Sequence, residues 1–366
     1  MKGSSVVVLV LGIMTALAGV VAGAAGRPVV PAVFVLGDST LDVGNNNYLP
    51  GKDVPRANVP FYGIDFPGGP MPTGRFSNGY NLADFIAKNL GFERSPLAYL
   101  ALKSRNYLIP SALTRGVSYA SAGAGILDST NAGNNIPLSK QLRYFASTKA
   151  EMEAAWGTHK VSTLLANSFF LLGIGSNDMF HTMPENPADV AAVYSTLVSN
   201  YSVAIADLYG MGARKFGIIN VGPVGCVPRL RVLNATGACY DALNLYSAGF
   251  AAAVKSALAG LAKKLPDFSY SLADSFAGAE TSFANPRSGR LVSVDSACCG
   301  TGRLGAEGAD LCSKKDTLCA DRDAYVYWDY FHSTQRAAEI GAQGLFDGPA
   351  QLTAPISFKQ LAYMRY

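Results

Sequence analysis

Ala32-Val33-Phe34-Val35-Leu36-Gly37-Asp38-Ser39-Thr40-Leu41-Asp42-Val43-Gly44-Asn45-Asn46-Asn47 changes character after its fifth residue. The first part is apolar and rich in β-branched and aromatic types, the composition of a buried strand. From Gly37 onward the chain is too rich in Gly, Asp and Asn to continue as a strand. Ser39 is therefore placed just beyond a strand's carboxyl end. Outward from this stretch, short strand-like runs recur at 169–174, 216–221 and 268–272. Between them lie helical patterns. Val190, Val193, Leu197, Tyr201, Ala204 and Leu208 put one apolar stripe on a helix over 189–210, opened by Asn186-Pro187. A second helix is expected to start with Asp241 as its N-cap. Its stripe runs through Leu243, Tyr246, Phe250, Val254, Leu258, Leu261 and Leu265, with Lys263 and Lys264 at its negative end and Pro266 as its stop. Strand, helix, strand in this order predicts an α/β fold with a parallel sheet covered by helices on both faces. Such sheets place their sites at the carboxyl ends of strands.

The chain has 366 residues, 49% of them hydrophobic and 15% charged, enough to bury a large core. No linker rich in Pro, Gly, Ser or charge divides it, so a single domain is expected over 25–366. The formal charge of +4 is small, and Lys and Arg are scattered, which gives no support to nucleic-acid binding. Lys2, an apolar run over 6–21 and Ala22-Gly23-Ala24 have the form of a signal peptide over 1–24, leaving a mature chain that starts near Ala25. No other stretch is expected to cross a membrane. Cys226, Cys239, Cys298, Cys299, Cys312 and Cys319 lack zinc-site spacing and suit a secretory route, where disulfides are their natural fate; fifteen pairings are open. Asn200-Tyr201-Ser202 and Asn234-Ala235-Thr236 are glycosylation sequons, and Asn234 is the better acceptor because Asn200 falls near the apolar edge of a predicted helix.

A serine at a strand end becomes a nucleophile only where a base takes its proton. Of the 3 histidines, His159 lies in a polar stretch and His181 follows Gly175-Ser176-Asn177-Asp178-Met179-Phe180. His332 closes Trp328-Asp329-Tyr330-Phe331-His332, so Asp329 precedes it by a spacing that projects both side chains from one face of a single turn. Asp329 can then hold the imidazole by Nδ1 and leave Nε2 free toward a serine. Two further segments carry oxyanion-binding groups: the Asn177 amide, after the apolar run, and backbone N–H groups in the small-residue stretch 116–125. No serine has glycine at both second neighbours, there is no HExxH, and no Gly-rich phosphate loop precedes a Lys; the chain thus lacks the signatures of α/β-hydrolases, zincins and P-loop enzymes. No cofactor and no metal is expected.

Together these pieces resemble the blocks of the SGNH hydrolase superfamily and, more closely, the plant GDSL esterase/lipase family. Gly37-Asp38-Ser39 followed by Asp42, Gly44 and Asn45 matches the first block, 119–125 the second, Gly175-Ser176-Asn177-Asp178 the third and Asp329-Tyr330-Phe331-His332 the fifth. Pro72-Thr73-Gly74-Arg75-Phe76-Ser77-Asn78-Gly79 and Cys298-Cys299-Gly300 extend the likeness over essentially the whole mature chain. Arg75 and Asn78 are expected to hold a loop rather than touch substrate. The resemblance implies a flavodoxin-like three-layer α/β/α sandwich with a central parallel sheet. It also implies a secreted serine esterase, with Ser39, Asp329 and His332 as the triad and an oxyanion hole from the Ser39 and Gly123 N–H groups and the Asn177 side chain. The substrate class would be an acyl ester of a lipid, polyester or acetylated glycan, and the location extracellular space, cell wall or endoplasmic reticulum. Thr40, Ser118 and Ser333 depart from the leucine, asparagine and proline usual at these places, and Ser118 puts the anchoring of the second block in question. The alternative is a non-catalytic secreted binding or structural protein that keeps the fold; the intact set Ser39, Gly123, Asn177, Asp329 and His332 speaks for the enzyme.

Overall fold

A computed structural model describes residues 27–284, 286–308 and 311–366, so the expected signal peptide over 1–24 lies outside the described residues. The strands are β1 (Val33–Gly37), β2 (Gly116–Ser118), β3 (Phe169–Gly173), β4 (Lys215–Ile219), β5 (Ser269–Ala273), β6 (Ser293–Ala297), β7 (Cys299–Gly300), β8 (Thr317–Leu318), β9 (Tyr325–Tyr327) and β10 (Thr353–Ala354). The main sheet has the order β10-β5-β4-β3-β1-β2. Its β2-β1-β3-β4-β5 part is parallel throughout and has the flavodoxin-like order. β10 pairs antiparallel with β5, so the sheet is mixed and not purely parallel. Pro355, which has no N–H to donate, follows this two-residue edge strand at once.

Side chains alternate across the strands. Phe34, Leu36, Phe170, Leu172, Phe216, Ile218 and Leu272 enter one core, shared with the helices Leu138–Trp156, Val190–Gly210 and Asp241–Lys264. Val33, Val35, Phe169, Leu171 and Ala273 enter the other, against helices Leu82–Asn89, Gln335–Asp347 and Phe358–Tyr363. This is why the strands read as continuous apolar runs: both faces are covered, giving three layers. Phe34 is wedged between Phe145 and Phe170, with ring centroids 5.3 and 5.2 Å away. Each fully buried ring contributes about 1.5–3 kcal/mol.

The two predicted helices are present, with adjusted starts. Pro187–Asp189 form a 3-10 turn that leads into Val190–Gly210, and the Asn186 side chain accepts the Ala188 N–H. The second helix begins at Asp241, but its cap is Tyr240, with no side-chain bond. Asp241 is therefore not the N-cap; it sits inside the first turn, where its charge faces the positive end of the dipole. Contrary to the expectation that nothing beyond the leader could cross a membrane, Asp241–Lys264 is long and apolar enough to do so. Its Leu243, Tyr246, Phe250, Val254 and Leu258 stripe is buried against the sheet.

The carboxyl-terminal third adds a small lobe in which β6 runs parallel to β9 and β7 antiparallel to β8. Disulfides Cys298–Cys319 and Cys299–Cys312 tie this lobe, and Cys226–Cys239 closes a loop after β4.

Candidate active site

β1 lies between β2 and β3, so the chain leaves β1 in one direction and returns on its other side. That is a topological switch point, where a crevice opens beyond the strand ends. Gly37 and Gly173 face each other there. A Cβ on Gly37 would stand 2.4 Å from the Gly173 carbonyl oxygen, so only glycine lets the two chains part so closely. The Asp38 N–H donates to Gly173 O at 3.0 Å, and those of Leu41 and Asp42 return to Asp38 O, which turns the chain sharply and leaves Ser39 half-buried at the crest. Gln141 satisfies Gly37 where β2 has ended, accepting from its N–H and donating to its carbonyl, both at 2.8 Å.

The next stretch pins the small-residue segment to this turn. Asp42 accepts the N–H groups of Gly44 and Asn45, at 2.7 and 2.8 Å, and that of Ala122 at 3.0 Å. Asn45 donates to Ser118 O and Ala120 O, and Asn46 to Ala122 O. Ser118 is thus anchored through its carbonyl, although its buried hydroxyl has no partner among the described residues. Gly123 has φ +80°, and its carbonyl is held by the Asn131 and Asn135 amides. The other end is fastened by Asp178, which accepts from the Ile126 and Leu127 N–H groups and the Thr130 hydroxyl. The Ser39 and Gly123 N–H groups have no partner among the described residues. Asn177, in the short helix Ser176–Thr182, spends one amide hydrogen on Ala124 O at 3.0 Å and lines the same cavity.

His332 comes to Ser39 from the disulfide-tied lobe. Its Nε2 is 2.8 Å from Ser39 Oγ, and its Nδ1 is 2.9 Å from each Asp329 oxygen. The connection is an Asx-type turn rather than a helical one: Asp329 Oδ1 accepts the Phe331 and His332 N–H groups, both at 2.8 Å, and Trp328 N–H donates to His332 O. Tyr62 donates its hydroxyl to Asp329 Oδ2 at 2.7 Å from 267 positions away. Burial pushes the Asp329 carboxyl up, but the His332 charge and hydrogen bond, the Phe331 N–H and the Tyr62 hydroxyl outweigh it and hold it below the ordinary carboxylate range. Burial and the Asp329 charge push the Tyr62 phenol upward, so it stays a donor. Asp38, equally buried but without a cation at hydrogen-bonding distance, is pushed up to about 6, chiefly by desolvation.

Ser39, Gly123, Asn177 and His332 all line one cavity of about 440 Å³. Asp53, Asn131, Asn134 and His181 give it a polar side, while Phe76, Phe180, Val224 and Val227 give it an apolar one. His181 points its Nδ1 at Asn177 O, 2.8 Å away, and has no carboxylate partner among the described residues; His159 is exposed on another helix. Arg75 forms a buried bidentate pair with Asp84, and Asn78 bonds Asp65 and the Gln335 N–H, so both hold loops. Phe76, between them, packs on the His332 ring with centroids 4.7 Å apart. Among the described residues, no group of three His, Cys, Asp or Glu stands together to hold a metal ion. Tyr62, Asn46 and Gln141 carry no signal in the sequence because their partners are distant backbone or a carboxylate far along the chain, and the Asn131–Asn135 pair carries none because its bonds to Gly123 O, 8 and 12 positions back, follow no motif.

The GDSL-like Lipase/Acylhydrolase family matches residues 33–345. GDSL esterase/lipase At1g71691 of Arabidopsis thaliana is 36% identical over 346 residues, covering 92% of this chain and 87% of its own. GDSL esterase/lipase 7 of the same plant is 37% identical, over 92% of this chain and 93% of its own. GDSL esterase/lipase APG is 34% identical, over 86% and 90%. The motifs that build the cavity lie inside the matched span, and the chain belongs to the GDSL-like lipase/acylhydrolase family.

Proposed function

We propose that this chain is a secreted acyl-ester hydrolase working through Ser39, His332 and Asp329. The observation that carries this reading is the unbroken hydrogen-bonded series Ser39 Oγ, His332 Nε2, His332 Nδ1, Asp329, opening on a cavity. In the proposed reaction His332 Nε2 takes the Ser39 proton as Oγ attacks the ester carbonyl. The oxyanion is received by the Ser39 and Gly123 N–H groups and the remaining Asn177 amide hydrogen. His332 returns the proton to the departing alcohol, leaving an acyl-Ser39. Water then gives its proton to His332, attacks the acyl carbon and releases the carboxylic acid, and His332 reprotonates Ser39. Asp329 orients the ring and stabilises its transient charge.

Secretion rests on the leader-like start, the three disulfides and the family. The mature domain is assigned to 25–366. Of the sequons, Asn234 is exposed with a free amide nitrogen among the described residues, whereas Asn200 sits in a helix and donates to Thr196 O. The test is hydrolysis of p-nitrophenyl acetate by the secreted protein beside Ser39→Ala, with labelling by a fluorophosphonate serine probe. Turnover and labelling that both vanish in Ser39→Ala support the assignment. Equal rates in the two proteins, or a folded wild-type protein that neither turns over nor labels, overturn it.

A further inference from the structure

A second cavity, of about 410 Å³, lies behind the first, between the ends of β4 and β5 and the helices Ser275–Ala284 and Gln335–Asp347. Ile219, Val224, Val227, Leu291, Ile340 and Leu345 are among its apolar lining. Of its hydroxyls, Ser275 donates to Asn220 O, Thr281 to Ala277 O, Ser282 to Gly278 O and Tyr327 to Cys226 O, and only that of Ser333 lacks a partner among the described residues. Asp274, the one charged side chain of its lining among the described residues, is exposed. The wall is therefore almost wholly apolar surface suited to an aliphatic ligand, with the Ser333 hydroxyl as its one uncommitted side-chain hydroxyl among the described residues.

This chamber is joined to the Ser39 cavity in two ways. Val224 and Val227 line both. A passage of about 220 Å³ shares Asp38, Thr40 and Ser176 with the Ser39 cavity, and Leu82, Ile219, Gly222 and Ser275 with the chamber. The chamber owes its width to glycines on its two helices. A Cβ at Gly278 would meet no heavy atom within 4 Å, and one at Gly341 would reach only Leu82 Cδ1, at 3.8 Å.

We infer that the chamber holds the aliphatic chain of a long-chain ester whose carbonyl lies at Ser39, the chain running past Thr40 while the polar side of the Ser39 cavity receives the rest of the substrate. This rests on the esterase reading for the carbonyl's position, but not for the chamber's affinity for a chain. Each methylene taken out of water is worth about fourfold in binding.

The experiment has two arms. In the first, kcat/KM is measured on p-nitrophenyl alkanoates from acetate to palmitate and on alkyl acetates of the same chain lengths, for wild type, Gly278→Leu and Gly341→Leu. Leucine suits both helical positions better than glycine, so the variants should fold. The expected result is a rise of up to about fourfold per methylene in one series, which also tells whether the chain belongs to the acid or the alcohol. The filled variants should lose that rise and keep wild-type rates on p-nitrophenyl acetate. In the second arm, dodecanoic acid is titrated calorimetrically into Ser39→Ala, with and without the filling substitutions. Binding that disappears on filling supports the chamber even if no ester is turned over, in which case the esterase reading alone fails. Acetate hydrolysis that requires Ser39 but gains nothing with chain length, or chain preference and dodecanoate binding untouched by filling, overturns the inference.

Discussion

The two halves of the Ser39–His332 contact are built differently. Ser39 stands on a turn fixed by the main sheet: Gly37 is in register with Gly173, and Asp42 and Asn45 lash that turn to its neighbours through backbone groups. His332 stands on a loop of a small lobe. That loop leaves β9, whose neighbour continues through Cys298 and Cys299, and their N–H groups donate to Tyr327 O and Trp328 O. Two disulfides and one long-range tyrosine bond do for His332 what a sheet does for Ser39. The position of Ser39 is a property of the fold, whereas that of His332 is a property of cross-links.

The largest effects should show the two halves acting as one unit. Ser39→Ala and His332→Ala are each expected to lower kcat on the order of a million-fold, and the double variant to lose hardly more than either. Losses that multiply in the double variant would break the unit. Asn177→Ala removes the proposed oxyanion donor of the sheet side and should cost about 100- to 1000-fold in kcat with KM little changed. A change confined to KM would make Asn177 a binding group instead.

The cross-linked side is broken separately by replacing Cys299 and Cys312 together with serine. Their 13-residue separation predicts a loss of roughly 3 kcal/mol in stability, read from the urea midpoint. Activity at fixed temperature should fall before the main sheet melts, because His332 is released first. Coincident loss of activity and of sheet signal would show the lobe and sheet to be one cooperative unit.

The same division explains what was legible in the sequence. The four strand runs at 32–36, 169–174, 216–221 and 268–272 reappear within about two residues at each end, because strands buried on both faces are unbroken apolar runs. Ser39, Gly123 and Asn177 followed from the rule of strand ends together with the family blocks, and the structure places all three around one cavity. β2 and β10 left no comparable signal: the first is three residues inside a small-residue segment and the second two residues before a proline. His332 was legible only as a local Asp-x-x-His, since that spacing is short-range. Tyr62 was not, because nothing local marks a residue whose partner is 267 positions away.

Two buried aspartates sharpen the comparison through pH. On the sheet side, burial raises Asp38 from the ordinary 3.8 to about 6. A carboxyl raised on folding binds its proton more tightly in the folded state, so stability is highest below the unfolded value and declines as pH rises from there through about 6. At about 1.4 kcal/mol per pH unit, the rise corresponds to roughly 3 kcal/mol. Asp38→Asn, which keeps an acceptor for the Thr40 N–H, should therefore lack that decline and gain on wild type above pH 6 in denaturation experiments. An unchanged pH dependence would mean that the sheet side solvates Asp38 better than its burial implies.

On the cross-linked side the sign is opposite. Asp329 is held below the ordinary carboxylate range, so its contribution is present above the unfolded value and disappears as pH falls through the folded one. Tyr62→Phe deletes one of the bonds that keep it there and leaves Ser39, His332 and all six cysteines in the chain, although the Cys312 backbone loses its contact with the Tyr62 hydroxyl. The expected loss is about 1.5 kcal/mol, at the low end for a hydrogen bond to a charged group because Oδ2 keeps the His332 Nδ1 contact. With the donor gone, the folded Asp329 value rises, so acid denaturation should begin at higher pH than in wild type. If Tyr62 also aims the imidazole, kcat should fall about tenfold at neutral pH, where the variant is still folded. An acid shift with unchanged kcat would assign Tyr62 to stability alone, leaving the Asx-type turn of Asp329 as the device that aims His332.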